Sequence, residues 1–256
     1  MRIAVITGAS SGMGKEFVRQ IAAKEQFDEI WAIARNEKRL AALQNVCSCR
    51  IRPVSLDLTV PEALAAYRDM LDAEKPEVAL LVNASGFGRF GPVSDIGAEE
   101  SANMIDLNCR ALTMLTEYTL PYMHAGSRIC QIASVAAYQP VPYIAVYAAT
   151  KAYVLSYTRA LSVELRQRGI RVMAVCPYWT DSNFFDRAQP GEKKYITKFT
   201  VMLDPVKVVK KAIRDLYHSN KPVSIYGLQV QLQVLGVKLL PHSLVMKVFL
   251  NQQGIK

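Results

Sequence analysis

Seven short apolar runs, separated by segments long enough to form helices, constrain this chain more than any other feature. They are Ile3–Thr7, Glu29–Ala34, Ile51–Leu56, Val78–Asn83, Arg128–Ser134, Arg171–Cys176 and Pro222–Tyr226. Continuous rather than alternating apolar character fits strands buried on both faces. Helix-length connections let successive strands lie parallel through right-handed crossovers. The expectation is an α/β fold, a doubly wound parallel sheet of about seven strands with helices on both faces. The chain has 256 residues, 51% of them hydrophobic, and no Pro-, Gly- or Ser-rich linker divides it. Residues 1–256 therefore read as a single domain with a large core.

The first run leads into a glycine turn. Ile3-Ala4-Val5-Ile6-Thr7 is followed by Gly8-Ala9-Ser10-Ser11-Gly12-Met13-Gly14, and then by Lys15-Glu16-Phe17-Val18-Arg19-Gln20-Ile21-Ala22 with helical apolar spacing. Strand, glycine turn and helix in that order are the context of a Rossmann-type dinucleotide site. Gly8 allows the tight turn, Gly12 a close approach to a pyrophosphate, and Gly14 close packing of helix on strand. The helix N–H groups then face the phosphates, with Ser10, Ser11 and Met13 in the same turn. The spacing is GxxxGxG, a loose fit to the general GxGxxG fingerprint.

A second pattern carries chemistry. Tyr147 and Lys151 stand four residues apart in a segment, Ala145 to Arg168, that reads as a helix, so both lie on one face. An ammonium beside a phenol favours the phenolate, and the spacing predicts a Tyr147 pKa drawn down toward working pH. Such a phenol is a general acid/base. Ser134, at the end of Arg128-Ile129-Cys130-Gln131-Ile132-Ala133-Ser134, is placed to hydrogen-bond a substrate oxygen near it.

Together these residues resemble the short-chain dehydrogenases/reductases in their single-domain form, from Ile3 to about Tyr226. Thr7-Gly8-Ala9-Ser10-Ser11-Gly12-Met13-Gly14 matches the TGxxxGxG of that family. Leu81-Val82-Asn83-Ala84-Ser85-Gly86 matches its NNAG motif imperfectly, and Asp57-Leu58 stands where the family places an acidic residue near the adenine. The resemblance implies cofactor contacts at Asn83, Ala84, Ser85, Gly86, Asp57 and Leu58. It implies catalytic roles for Ser134, Tyr147, Lys151 and Asn108, with Lys151 also binding the nicotinamide ribose and Asn108 supporting a proton-relaying water. After the sixth strand the family's PGxxxT turn is altered to Cys176-Pro177-Tyr178-Trp179-Thr180-Asp181-Ser182. Pro177 and either Thr180 or Ser182 are the implied nicotinamide contacts. A homodimer or homotetramer through helices 101–123 and 145–168 is a further implication.

Cofactor choice is argued from the second strand, Ile30-Trp31-Ala32-Ile33-Ala34, which ends in Arg35. No acidic residue stands at its tip to hold a ribose 2′-hydroxyl and repel a 2′-phosphate. Arg35 offers a bidentate guanidinium, with Lys38 and Arg39 close behind, and the expectation is NADP, with NADPH preferred over NADH.

Tyr178, Trp179, Phe184 and Phe185, with Ala136, Tyr138 and Tyr143, predict an apolar wall suited to a hydrophobic ketone or alcohol. Residues 183–203 read as a lid, and Asp204-Pro205 as a helix start. Residues 228–256 form an apolar extension whose Gly236, Pro241 and lysines argue against a membrane span. Docking on the pocket or a subunit interface is the first expectation, and contact with a membrane surface the second.

The net charge of +9 raises nucleic acid as a partner, but the basic residues are scattered without a compact run, and an anionic cofactor gives them a use. Five cysteines and three histidines show no metal-ligand or triad spacing, so no metal is expected. An odd number of thiols and a first strand beginning at Ile3 point to a cytoplasmic protein. The leading expectation is an NADP(H)-dependent carbonyl reductase or alcohol dehydrogenase. A nucleotide-binding sensor or scaffold without catalysis is the alternative, and an epimerase or dehydratase ranks third.

Overall fold

The computed structural model describes residues 1–47, 49–182, 184–189, 192 and 194–255. Seven strands form one sheet: β1 (Arg2–Thr7), β2 (Glu29–Ala34), β3 (Arg50–Ser55), β4 (Glu77–Asn83), β5 (Arg128–Ile132), β6 (Arg171–Val175) and β7 (Val223–Ser224). Their order is β3-β2-β1-β4-β5-β6-β7, and every neighbouring pair is parallel. The order reverses between β1 and β4, which opens a crevice at the carboxyl ends of those two strands.

Alternation along each strand sends side chains to two cores. From β1, Ala4 and Ile6 pack with Phe17, Val18 and Ile21 of α1 (Gly12–Ala22) and with Val208, Val209 and Ala212. Ile3 and Val5 point the other way, toward Trp31, Tyr67 and Leu71. Tyr67 and Leu71 belong to α2 (Pro61–Glu74), and the fully buried Tyr67 hydroxyl is shared with Thr119 at 2.6 Å. The helix α3 spans 98–119, and its middle, Asp106–Ala111, is π-helical. It is followed by α4 (Ala145–Glu164), α5 (Pro205–His218), α6 (Leu228–Leu239) and α7 (His242–Gln253).

Asp204 caps α5 by accepting from the Val206 N–H at 2.8 Å, with Pro205 at the first helical position, as the sequence predicts. Three boundaries differ from expectation. The helix starting at Ala145 ends at Glu164 rather than Arg168, because the chain turns back through Gly169 at φ 68 to enter β6. The strand β5 stops at Ile132, and the last one pairs only over Val223–Ser224. Among the described residues no helix is long and apolar enough to cross a membrane.

Candidate active site

The glycine turn after β1 is built so that nothing but glycine fits at two points. A Cβ on Gly14 would sit 2.2 Å from the Gly8 carbonyl oxygen, and one on Gly8 (φ +66) would lie 2.8 Å from the Ala84 carbonyl. Thr7 fastens the opposite loop, its Oγ1 accepting from the Ala84 and Ser85 N–H groups at 3.1 and 3.0 Å. The turn thus lies directly on Asn83-Ala84-Ser85-Gly86. Ser10, Ser11, Gly12 and Met13 remain half exposed at the start of α1, where unpartnered N–H groups favour an anion. This bare cradle fits the pyrophosphate of a dinucleotide, and Ser182 closes over it, with its Cβ 3.6 Å from the position of a Cβ on Gly12.

At the adenosine end, Arg35 stands 3.8 Å from the carboxylate of Asp57, both largely exposed. Burial works against ionisation of Asp57, but the Thr59 hydroxyl and N–H, followed by the Arg35 charge, hold its pKa below the usual value. Leu58 is buried beside it. Arg187 also converges on this place, which the sequence did not indicate. Its guanidinium lies 3.4 Å from the centroid of the Phe87 ring, and its backbone oxygen accepts from Arg89 at 2.9 Å. Burial and then the neighbouring Arg35 charge hold the Arg187 pKa below the ordinary arginine value.

Ser134, Tyr147 and Lys151 come together at the ends of β4 and β5. Ser134 lies just past the strand rather than in it, where its Oγ accepts from the Ala136 N–H at 3.1 Å and caps the turn Val135–Tyr138. The same hydroxyl lies close enough to the Tyr147 phenol to favour its ionised form. Lys151, 4% exposed, donates from Nζ to the Ile132 carbonyl at 2.8 Å, with its ammonium 5.6 Å from the Tyr147 ring centroid. Its burial pulls the ammonium pKa down to about 8. The Tyr147 phenol moves opposite to expectation. Burial pushes it up to about 12, outweighing the lowering by the Ser134 hydroxyl. Desolvation wins because the phenol packs against Phe184, with ring centroids 5.4 Å apart, in a mainly apolar pocket.

Asn108 is fully buried and bonds protein groups on both sides of its amide. Its Oδ1 accepts from the Phe87 N–H at 3.0 Å, while Nδ2 donates to the Phe87 carbonyl at 2.9 Å and to Thr150 Oγ1 at 3.0 Å. A Cβ on Gly86 would lie 2.9 Å from Asn108 Oδ1 and 3.3 Å from Lys151 Nζ. Asn108 therefore positions the Gly86–Phe87 backbone beside Lys151. Asn83 is turned inward, donating to Thr116 Oγ1 at 3.0 Å, so its side chain supports the strand end rather than the crevice. Cys109 and Cys176 flank this group, and burial raises their thiols to about 11 and about 12, which leaves them as packing groups.

Beyond Tyr147 lies an apolar cavity of about 490 Å³. Pro177, Tyr178, Trp179, Thr180, Ser182, Phe184 and Phe185 line one side, Ala136 and Tyr138 another. Thr180 is tied to its own turn by a 2.9 Å bond to the Tyr178 carbonyl. Tyr143 is absent from the lining. It adopts φ 63 and stacks on Tyr195 at 5.9 Å. The expected lid is fastened down: the Gln189 amide bonds the backbone of Tyr195 and Ile196, and Gln253 bonds that of Thr197 and Lys198. Asn183, Pro190, Gly191 and Lys193 of that segment lie outside the described residues. The C-terminal helices supply the remaining wall through Val230, Val234, Val245 and Phe249. No cluster of metal-binding side chains occurs among the described residues.

A crevice at the reversal of a parallel sheet, roofed by a bare glycine turn and ending in buried proton-bearing groups, defines a dinucleotide-binding α/β oxidoreductase. The family model for short chain dehydrogenases matches residues 2–193. The chain belongs to the short-chain dehydrogenase/reductase family. It is 31% identical over 198 residues to an uncharacterized oxidoreductase of Staphylococcus epidermidis, covering 75% of this chain and 84% of that one. A short-chain dehydrogenase from Sphingobium yanoikuyae in complex with NADPH superposes with a TM-score of 0.80 at 27% identity, over 96% of this chain and 95% of that one. A bulky-bulky ketone specific alcohol dehydrogenase from Comamonas testosteroni gives 0.75 at 25% identity, over 96% and 94%. Solved neighbours carry NADPH in one case and NAD in another, so the adenosine end must decide between them.

Proposed function

We propose that this protein is an NADP(H)-dependent carbonyl reductase or alcohol dehydrogenase for a hydrophobic small molecule. The observation that carries the reading is the meeting of Ser134, Tyr147 and Lys151 at the inner end of an apolar cavity. A bound nicotinamide supplies or accepts the hydride. Tyr147 keeps its proton throughout the physiological range and gives it to the oxygen of the reduced carbonyl. Ser134 donates a hydrogen bond to that oxygen, and in the reverse direction the Tyr147 phenolate, formed by loss of its proton to solvent, takes the proton of the alcohol. Lys151, anchored on Ile132, places a cation below the phenol, and Asn108 positions the loop that Lys151 approaches.

Gly8, Gly12, Gly14, Ser10, Ser11 and Met13 would hold the pyrophosphate, and Asp57, Leu58, Ala84, Ser85 and Gly86 would frame the adenosine. Arg35, with Arg187 near enough to feel its charge, supports the 2′-phosphate reading, because guanidiniums suit a dianion better than a neutral hydroxyl. The mainly apolar lining favours steroid-like, fatty or aryl ketones. Free cysteines suit a cytoplasmic setting. Exposed Ile105, Tyr153 and Val163 on α3 and α4 support a homodimer or homotetramer through those helices.

The test is a panel of steroid, fatty and aryl ketones read by NADPH oxidation, with Tyr147→Phe alongside. The variant should bind NADPH as the wild type does and lose roughly 10²–10⁴-fold in turnover. Nucleotide binding by the wild type without turnover of any member of the panel would favour the sensor alternative.

A further inference from the structure

The two C-terminal helices are apolar on both sides. On α6, Val230 and Val234 face the cavity at 3% and 5% exposure. On the opposite side Leu228, Leu232, Leu235 and Leu239 are 71%, 59%, 54% and 77% exposed. Their spacing of four, three and four residues makes them a single stripe. The division repeats on α7, where Val245 is buried while Leu244 and Val248 are each 45% exposed. A monomer rarely leaves so continuous an apolar patch to water.

Charge identifies the occupant. Residues 219–256 contain no Asp or Glu, and they carry Lys221, Lys238, Lys247 and Lys256. Lys238 lies over the Tyr138 ring at 5.0 Å, and Arg159 over the same ring at 5.5 Å, so a further cation borders α6. Two copies meeting through this face with two-fold symmetry would set like charge against like. A layer of anionic headgroups over acyl chains satisfies both the lysines and the leucines. We propose that the outer face of α6 and α7 seats peripherally on an anionic bilayer surface.

The cavity strengthens this assignment. Leu240 and Val248 are half exposed on the outer face and also line the cavity, so its mouth opens at the level of the seated lipid. An apolar molecule dissolved in the acyl region would then reach the cavity without crossing water. The seat itself does not depend on the carbonyl chemistry, because vesicle binding is read without turnover.

The experiment is flotation of the full chain with vesicles of phosphatidylcholine and phosphatidylglycerol in equal parts, against phosphatidylcholine alone. The wild type should partition at least tenfold more strongly onto the anionic vesicles. The pair Leu235→Ser with Leu239→Ser should lower that partition at least tenfold while NADPH binding stays unchanged. Lys207→Glu with Lys210→Glu, two exposed lysines of α5, should change it less than threefold. A Leu239→Trp protein should shift its emission to the blue on the anionic vesicles, and this readout decides if the serine pair fails to fold. Absence of flotation by the wild type, or serine-pair flotation equal to it, overturns the proposal. So does a wild-type oligomer that the serine pair dissociates while vesicle binding is unaffected, which would make the face an interface between copies.

Discussion

Lys151 and Tyr147 are displaced in opposite senses, and each displacement has a consequence. The phenol near 12 keeps its proton at every ordinary assay pH, so it does not set the pH profile of ketone reduction. On the proposed mechanism the Lys151 ammonium, pulled down to about 8 by burial, does. Below that value Lys151 is charged, and as pH rises through it the cation is lost from beneath the reacting oxygen. We expect kcat/KM for reduction to be flat at low pH and to fall with an apparent pKa of about 8, measured across a buffer series. Nucleotide selectivity belongs to the same scale. Removing a charge-assisted contact in Arg35→Ala should take about 1.5–3 kcal/mol from NADPH recognition, roughly tenfold to a hundredfold in kcat/KM. The value for NADH should hardly move.

At the scale of elements, the chain begins and ends its helices with local chemistry that was readable in advance. Asp204 and Pro205 announce α5, and the cap is there at 2.8 Å. Asp204→Ala should lower unfolding free energy by about 0.5–2 kcal/mol in a denaturant titration, since an orphan N–H loses its acceptor. The glycine turn was equally legible, because Gly8 and Gly14 have backbone carbonyls where a side chain would go. The end of β5 was not. Regular strand ends at Ile132, although Ala133 still donates to the Val175 carbonyl at 2.8 Å, and Ser134 then accepts from the Ala136 N–H to open the following turn. Periodicity cannot see such a side-chain to backbone exchange.

Across the whole molecule, all seven strands and their parallel pairing followed from apolar runs and connection lengths alone. What stayed hidden needed three-dimensional proximity. Nothing near Arg187 in the sequence tells that it lands on Phe87, one hundred residues earlier in the chain, and near Arg35. The sense of the Tyr147 shift was hidden too, because i, i+4 spacing reveals the lysine but not the apolar packing that outweighs it. The single-domain reading is open to a direct check. Trp31 lies in the core beside α2 and Trp179 at the cavity, so unfolding followed by tryptophan fluorescence and by far-ultraviolet circular dichroism should give coincident transitions. Two separated transitions would divide the molecule. The π-helical stretch Asp106–Ala111 has a bearing on how such a chain can diverge in length. Each residue advances a helix by about 100°, so deleting one there to restore regular winding would swing everything after it around the axis. Asn108 would then lose its grip on Phe87, or Leu112 and Leu115 their places in the core. Surface connections can grow or shrink among descendants of this sequence, whereas the residue number of that one wide turn is held fixed by both of its neighbours at once.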